Sequence, residues 1–465
     1  MSRNRLRFLK DVTIEPATTL YLAIYLIMDI TSTNLMLQKV CRFNATSEPD
    51  LNTRCDDEKK GILFASHVNS TYRTVMFFLC KIITVFAMCW SDEAGRRRRP
   101  LIYLPIFGLI LQSVSGCVNS YYWHWSPHIA ALLNVIADII TGGGSLMTIA
   151  YQTYVCDVSD ADSRTMRLGI FLTFKTVGNL LGFGAAGYIL RSIGFFYTYL
   201  LCFILSLITL LSALIFVKDV SVPVEKKMRV WNFFNLMRIV DSFKVVFSKD
   251  VGKNRIVVLM LVIIFTLVFF TTQGEKDILY LFLRGKFKWQ EKQFSFYVIY
   301  RYTGVIIGSM FCSIVMSKYL NMHDGLIGII SGTMDTIAAI GYLIASEEWH
   351  LYVVPLFDVF HGTAMTVSVS FYSKYYKNDE FGRLNSVVGI FALIMPASRP
   401  AYNVIFQKTL DYFPSALFLL SVVLDVVIVL LYCASYTLSK KLEKQKPIVK
   451  EECPMLTTNR ETKIN

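Results

Sequence analysis

Charged side chains that could do chemistry lie inside long apolar runs. Asp29 lies in the run from Ala17 to Leu37, and Lys81 lies in the run from Tyr72 to Trp90. Each run is long enough for a helix to cross a bilayer, where a charge is costly unless it faces a cavity or a partner. Such residues can bind a charged solute or carry a proton, whereas the alternative for each is an internal ion pair that only fixes the helix bundle. The candidates are Asp29, Lys81, Asp138, Lys175, Glu275, Asp277, Arg301, Asp335, Asp358, His361 and Arg399.

The composition is that of a membrane protein. The chain has 465 residues, 54% of them hydrophobic, and a mean hydropathy of +0.47. Its net charge of +13 comes from basic residues that cluster between the apolar runs. This placement is typical of loops held on the cytoplasmic side and of contacts with anionic lipid headgroups. The bilayer is therefore the expected partner of the basic residues, and nucleic acid is not.

A short link between the second and third apolar runs carries four consecutive arginines, residues 96–99. Asp92, Gly95, Arg96 and Arg97 reproduce the D-x-x-G-R-R pattern and resemble the loop between the second and third helices of major facilitator transporters. That resemblance implies a charge latch that stabilises one of two alternating conformations. Two further links have an acid and an arginine four residues apart, and we expect them on the same side. Their latch candidates are Asp157, Arg164 and Arg383. The alternative is that the arginines only anchor the topology.

The chain is predicted to be an all-α membrane protein with about twelve transmembrane helices and both termini in the cytoplasm. The predicted organisation is an N-terminal six-helix bundle (1–217) with an external loop (40–67), a cytoplasmic linker (218–255), a C-terminal six-helix bundle (256–438) and a cytoplasmic tail (439–465). The external loop contains the sequon at Asn44, which predicts an N-glycan. It also contains Cys41 and Cys55, which predict a local disulfide. No cofactor or metal-binding pattern is present, so neither is expected.

Three motifs make the chain similar to solute carrier family 46. They are Trp90-Ser91-Asp92 with Gly95-Arg96-Arg97, the link Cys156-Asp157-Val158-Ser159 with Ser163-Arg164-Thr165-Met166-Arg167, and the stretch Gly274 to Leu279. The resemblance implies a major facilitator fold, alternating access and proton-driven uptake of organic anions. Family members are linked to folate, haem, muropeptides and cyclic dinucleotides. The family's folate carrier has a glutamate and a histidine at the positions where this chain has Leu172 and Thr272. It also has a basic residue in its tenth helix, where this chain has Val369 or a neighbour of Val369.

These features predict a secondary active transporter that moves a small organic anion (folate-like, muropeptide or cyclic dinucleotide) by alternating access, coupled to protons. The alternative is a membrane receptor or scaffold that keeps the fold without transporting. An enzyme is not expected, because no nucleophile motif or phosphate loop is present. The plasma membrane is the expected location. The stretch Glu451 to Leu456 resembles an acidic dileucine signal, which makes the lysosome the alternative. The oligomeric state is open, and a monomer is compatible with the sequence.

Overall fold

The computed structural model describes residues 14–42, 58–93, 97–158, 164–218, 255–361, 363–373 and 394–445. Within these ranges the chain is helical and contains no strand. The N-terminal half contains α1 (Glu15–Cys41), α2 (Glu58–Glu93), α3 (Arg99–Tyr121), α4 (Pro127–Thr141), α5 (Gly143–Val158) and α6 (Arg164–Phe216).

The C-terminal half has the same character but more interruptions. Its helices are α7 (Arg255–Phe287), α8 (Glu291–Phe311), α9 (Asp324–Ile344), α10 (His350–Phe357), α11 (Thr363–Ser373), α12 (Ser398–Thr409) and α13 (Leu417–Gln445). A π-helix over Cys312–Tyr319 extends α8, and a 3₁₀ turn over Asp358–Phe360 follows α10. The break after α10 places Asp358 and His361 inside the bundle and not on a continuous helix face.

The described residues include nine helices that are long and apolar enough to cross a membrane. Helix α6 has 53 residues and a kink at Gly194, where φ is 75°. At about 1.5 Å per residue it is roughly 80 Å long, more than twice a hydrocarbon core of about 30 Å. It therefore crosses twice. Helices α10 and α11 together make one interrupted crossing, and α12 is the described part of another. The chain is thus a multi-pass membrane protein of the predicted fold class.

Glycines allow the helices of the N-terminal half to approach closely. A Cβ on Gly178 would lie 2.8 Å from the carbonyl oxygen of Thr19, and a Cβ on Gly182 would lie 2.8 Å from that of Ala23. Helices α6 and α1 therefore pack backbone against backbone, as small residues four apart permit. Further along α6, a different face of the helix meets the other half of the protein. The amide of Gly187 donates a 2.9 Å hydrogen bond to Ser295 Oγ of α8.

Two helices extend beyond the apolar runs of the sequence. Helix α2 begins at Glu58, inside the range 40–67 that the sequence assigned to an external loop, and α13 continues to Gln445, past the predicted start of the tail. Polar and charged residues extend both helices, so hydropathy alone makes both helices too short. Cys41 is disulfide-bonded. Its predicted partner Cys55, the sequon at Asn44 and most of the linker 218–255 lie outside the described residues.

Candidate functional site

Three half-buried lysines face one another in the middle of the molecule, between the two halves. Lys81 comes from α2, Lys175 from α6 and Lys276 from α7, and Lys175 lies within electrostatic range of the other two. Within the described part of the chain, none of the three forms an ion pair or a hydrogen bond with another residue. Three like charges near the centre of a membrane protein repel one another. The arrangement therefore favours a negatively charged ligand.

An aromatic pair lies beside this cationic group. Lys276 Nζ is 5.2 Å from the ring centroid of Phe183. The Phe183 ring is stacked on Tyr302 of α8, with centroids 5.8 Å apart and an interplanar angle of 22°. Phe183 belongs to the N-terminal half, whereas Lys276 and Tyr302 belong to the C-terminal half. The two halves thus contribute jointly to a surface that suits an anion with a flat, unsaturated part.

Asp29 and Asp138 line a cavity in the N-terminal half. Asp29 forms an ion pair with Arg73 of α2, and Arg73 also donates a 3.3 Å hydrogen bond to Thr33 Oγ1. Asp138 is 4% exposed and lines the same cavity as Asp29 and Gln112. It lies just before the break between α4 and α5, where a Cβ on Gly143 would come within 2.9 Å of its carboxylate. Asp29 is therefore compensated by a cation, while Asp138 sits beside a helix break.

Two of the predicted cations are already paired. Arg399 of α12 forms an ion pair with Asp277 of α7 and lies 3.7 Å from the ring centroid of Phe77 in α2. Arg301 of α8 donates a 2.5 Å hydrogen bond from Nε to Asp358 Oδ2. These arginines are less available to a substrate than the three lysines, because each already has its own carboxylate.

The C-terminal bundle contains a cluster of acids around a small polar cavity. Its lining includes Glu275, Asp335, Asp358, His361 and Asp425. His361 Nδ1 lies 3.1 Å from Asp358 Oδ1 and 3.8 Å from Asp335 Oδ1. Four carboxyl groups thus share one cavity, which we call the acid cluster.

The side of the bundle that the sequence predicts to be external is closed by a buried network. Arg284 of α7 donates 2.8 Å hydrogen bonds to Glu58 and Glu291, and a 2.7 Å hydrogen bond to Asn34. Tyr280 donates a 2.6 Å hydrogen bond to the same Asn34 oxygen. Glu58 and Asn34 belong to the N-terminal half, whereas the other three residues belong to the C-terminal half. We call these five residues the external gate.

Further polar contacts join the halves at this end. Ser66 of α2 donates a 2.7 Å hydrogen bond to Asn403 of α12. Lys59 and Asp411 form an exposed ion pair with a separation of 2.5 Å. Together with the Gly187–Ser295 contact, they keep the external side shut in this conformation.

The cytoplasmic end of the N-terminal half contains an ion pair between the predicted latch segments. Asp157 accepts a 2.7 Å hydrogen bond from Arg98 Nε. Arg98 also donates a 3.0 Å hydrogen bond to Ser91, while Arg97 is exposed. The Asp157 carboxylate thus meets the arginine loop through Arg98. Gly95, Arg96 and Arg383 lie outside the described residues, as do the side chains of Asp92 and Arg164.

The sequence reasoning missed several residues that the structure places at the site. Arg73 and Lys276 lie in the central region, Arg284 and Glu58 in the external gate, and Asp425 in the acid cluster. A charged residue within an apolar run could have indicated Arg73 and Asp425. Arg284 and Glu58 had no such signal, because neither lies inside an apolar run.

The sequence matches the family model described as Major Facilitator Superfamily over residues 64–398, more than half of the chain. It is 22% identical over 406 residues to the Probable peptidoglycan muropeptide transporter SLC46 of Drosophila melanogaster, covering 83% of this chain and 76% of that protein. It is 23% identical over 358 residues to the Lysosomal proton-coupled steroid conjugate and bile acid symporter SLC46A3 of Gallus gallus, covering 74% of each. These relatives confirm the predicted resemblance to solute carrier family 46.

Solved structures of transporters share the fold. The human organic anion transporter MFSD10 (TETRAN) superposes with a TM-score of 0.60 at 14% identity, covering 90% of this chain and 98% of that one. A D-xylose–proton symporter gives a TM-score of 0.60 at 13% identity, covering 90% and 96%. At these identities the likeness shows the fold alone, and the predicted fold class is confirmed.

Proposed function

We propose that this chain, which belongs to the Major Facilitator Superfamily of membrane transporters, moves a small organic anion across the membrane by alternating access, together with protons. The observation that carries the proposal is the group of Lys81, Lys175 and Lys276. These lysines come from both halves and have no ion-pair partner within the described residues. An anionic solute would supply the missing negative charge and would touch both halves at once.

The substrate class follows from this charge and from the aromatic pair. Three lysines suit a solute with more than one negative charge, and the stacked rings of Phe183 and Tyr302 suit a flat group next to it. Folates and cyclic dinucleotides have both features, and muropeptides have the charge. The names of the relatives add steroid conjugates and bile acids, which are also anions. We therefore propose an organic anion from this set.

The closed external gate supports alternating access. In this conformation Arg284 and its partners separate the lysine group from the external side. Opening requires these contacts between the halves to break while contacts at the cytoplasmic end form. The Arg98–Asp157 pair is already present in this conformation and joins two segments of the N-terminal half at its cytoplasmic end, so it would hold that half together as it moves.

We propose the plasma membrane as the location, with the lysosomal membrane as the alternative. The relatives named as lysosomal and the stretch Glu451 to Leu456 favour the alternative. Imaging of the full chain and of a variant with Leu456→Ala separates the two locations. Lysosomal signal that moves to the cell surface in the variant would overturn our first choice.

The function is tested by uptake into cells that display the chain at the surface. The probes are labelled folate, a muropeptide, a cyclic dinucleotide and a sulfated steroid, each at external pH ~5.5 and ~7.4, a window in which histidine changes charge. We expect uptake of at least one anion, greater at the acidic pH. Lys276→Gln should weaken its apparent affinity roughly 30-fold, since losing one partner of a desolvated charge pair costs about 2 kcal/mol.

The matched control is Lys292→Gln, which removes an exposed lysine at the external end and should leave uptake unchanged. Uptake that is equal in the Lys276 and Lys292 variants would refute the role of the lysine group. Surface protein with no uptake of any probe would favour the receptor interpretation.

A further inference from the structure

The acid cluster has more negative groups than bases. Glu275 comes from α7, Asp335 from α9, Asp358 from the 3₁₀ turn and Asp425 from α13, and the basic groups that face them are Arg301 and His361. The titratable hydroxyls nearby are those of Tyr297, Tyr342, Tyr402 and Tyr432. Tyr297 and Tyr342 share a 2.5 Å hydrogen bond, and Tyr402 is hydrogen-bonded to Ser421. Every element around the cavity therefore contributes a charged or titratable group.

Asp425 distinguishes this cavity from an ordinary ion-pair network. It is 6% exposed and lines the cavity, yet it forms no ion pair or hydrogen bond with a described residue. The charged groups within its electrostatic range are other acids: Asp335, Glu275 and Asp358. An ionised carboxylate held in this way would be costly by several kcal/mol.

The pairing inside the cluster is uneven. Asp358 has both bases, because Arg301 donates to one of its oxygens and His361 lies 3.1 Å from the other. Asp335 is 3.8 Å from the same His361 nitrogen. In the part of the chain that the structure describes, neither Glu275 nor Asp425 forms an ion pair with a base. With all four carboxyls ionised and His361 protonated, the cavity would hold four negative and two positive charges. It therefore requires added positive charge.

We propose that the acid cluster is the proton-loading site of the transporter, and that Glu275 and Asp425 hold the protons. The proposal rests on the proposed proton-coupled function and names the residues that would serve it. It places the proton site inside the C-terminal bundle, apart from the lysine group between the halves.

Helix α7 links the two sites directly. Glu275, Lys276 and Asp277 are consecutive, and successive residues of a helix point in different directions. Glu275 lines the acid cluster, Lys276 faces the lysine group, and Asp277 pairs with Arg399, which touches Phe77 of the other half. Gly274 lets this part of α7 approach Tyr402, since a Cβ there would lie 2.3 Å from the ring. Protonation of Glu275 thus changes the charge of the residue that directly precedes Lys276 in the lysine group.

A metal cation is the competing way to supply positive charge. The ligand atoms of Asp335, Asp358 and His361 lie within 4.8 Å of one another. Arg301 disfavours a metal there, because its guanidinium is bonded to Asp358 and would repel a cation.

The site can be tested without knowing the substrate. Purified full-length protein in lipid is titrated from pH ~8 to ~5 while infrared absorption records protonated carboxyl groups, a range in which buried acids can change state. We expect an absorption band from protonated carboxyl groups, whose frequency shifts in D₂O. The Asp425→Asn and Glu275→Gln variants should each lack the absorption of about one carboxyl group. Glu348→Gln, at an exposed external position, should leave the signal unchanged. Asp335→Asn is a second reporter if one variant does not fold.

A second arm uses proteoliposomes and the anion found in the uptake assay. Glu275→Gln should lose accumulation driven by a pH gradient while keeping exchange of labelled for unlabelled anion within about twofold, because exchange needs no net proton movement. If the wild-type protein shows the carboxyl signal but moves no anion, the proposed transport function is refuted and the proposed proton site is not. An unchanged carboxyl signal in both Glu275→Gln and Asp425→Asn would overturn the proton site, as would its removal by sodium or zinc ions at constant pH.

Discussion

Removal of Arg284 should open the external side. The Arg284→Ala substitution leaves Glu291, whose side chain is 3% exposed, and Glu58, which is 21% exposed, without their shared cation. Breaking a buried ion pair by removing one partner costs about 3–5 kcal/mol. Glu58 can regain water when the gate opens, so we expect the lower end, about 3 kcal/mol. At 1.4 kcal/mol per factor of ten, this shifts the equilibrium toward the open state by roughly two orders of magnitude.

Thiol cross-linking across the gate measures this shift. The substitutions Lys59→Cys and Asp411→Cys place one thiol on each half of the protein. They replace an exposed ion pair, which contributes little to stability. A short bifunctional thiol reagent should join the two thiols quickly while the external side is closed, and mass spectrometry of the joined peptides quantifies the yield. In the Arg284→Ala background we expect cross-linking to slow at least tenfold. Arg284→Lys should be intermediate, because one ammonium cannot reproduce the separate bonds that Nε and Nη1 make.

The matched control is Lys292→Ala, which removes an exposed cation at the same end of the protein and should leave the rate unchanged. Cross-linking that is equally fast in Arg284→Ala and in the control would show that the buried network does not hold the halves together. The gate would then depend on packing at contacts such as Gly187 against α8.

Three further predictions concern other parts of the chain. Gly187→Ala should lower the melting temperature, because its Cβ would lie 2.1 Å from the carbonyl oxygen of Glu291 and overpacking costs about 1–3 kcal/mol. Gly144→Ala should leave the melting temperature unchanged, because no atom lies within 4 Å of the new Cβ. An equal decrease in both variants would refute the close approach of Gly187 to Glu291. Arg98→Met should reduce the uptake rate, whereas the exposed Arg97→Met should not, as initial-rate measurements would reveal. Asn44→Gln should lower the apparent mass of the protein on a gel by the mass of one glycan. Unchanged mobility would contradict glycosylation at Asn44.

The fold could be predicted because it depends on features that are local in sequence. Long apolar runs and basic links are visible without any knowledge of packing, and the D-x-x-G-R-R pattern of residues 92–97 is specific to a superfamily. The pairing of charges could not be predicted, because it depends on which helix faces lie together. Lys81 and Arg301 looked alike in sequence, yet among the described residues Lys81 pairs with no carboxylate, whereas Arg301 pairs with Asp358.

Helix ends account for two of the residues that were missed, Arg73 and Arg284. When the second span is taken to begin at Tyr72, Arg73 appears to lie at the membrane boundary. In the structure α2 begins at Glu58, so Arg73 lies near its middle and pairs with Asp29. Arg284 follows an apolar run in the sequence. In the structure it belongs to the last turns of α7 and is compensated by Glu58 and Glu291.

The arginine loop shows the limit of pattern matching. The sequence indicates that Asp157 and the arginine loop lie on the same side of the membrane, but it does not indicate which of the four arginines is the partner. Which of them reaches Asp157 depends on the backbone between α2 and α3. The structure selects Arg98, one position beyond the pair that the motif nominated.

The kink at Gly194 has a consequence for how the protein is made. The two crossings of α6 are joined without a loop, since the helix continues through a single residue of unusual conformation. During synthesis almost no polar chain has to pass through the bilayer between them, so the pair can enter the membrane as one helical hairpin. This junction also offers no room for an inserted tag or a protease site.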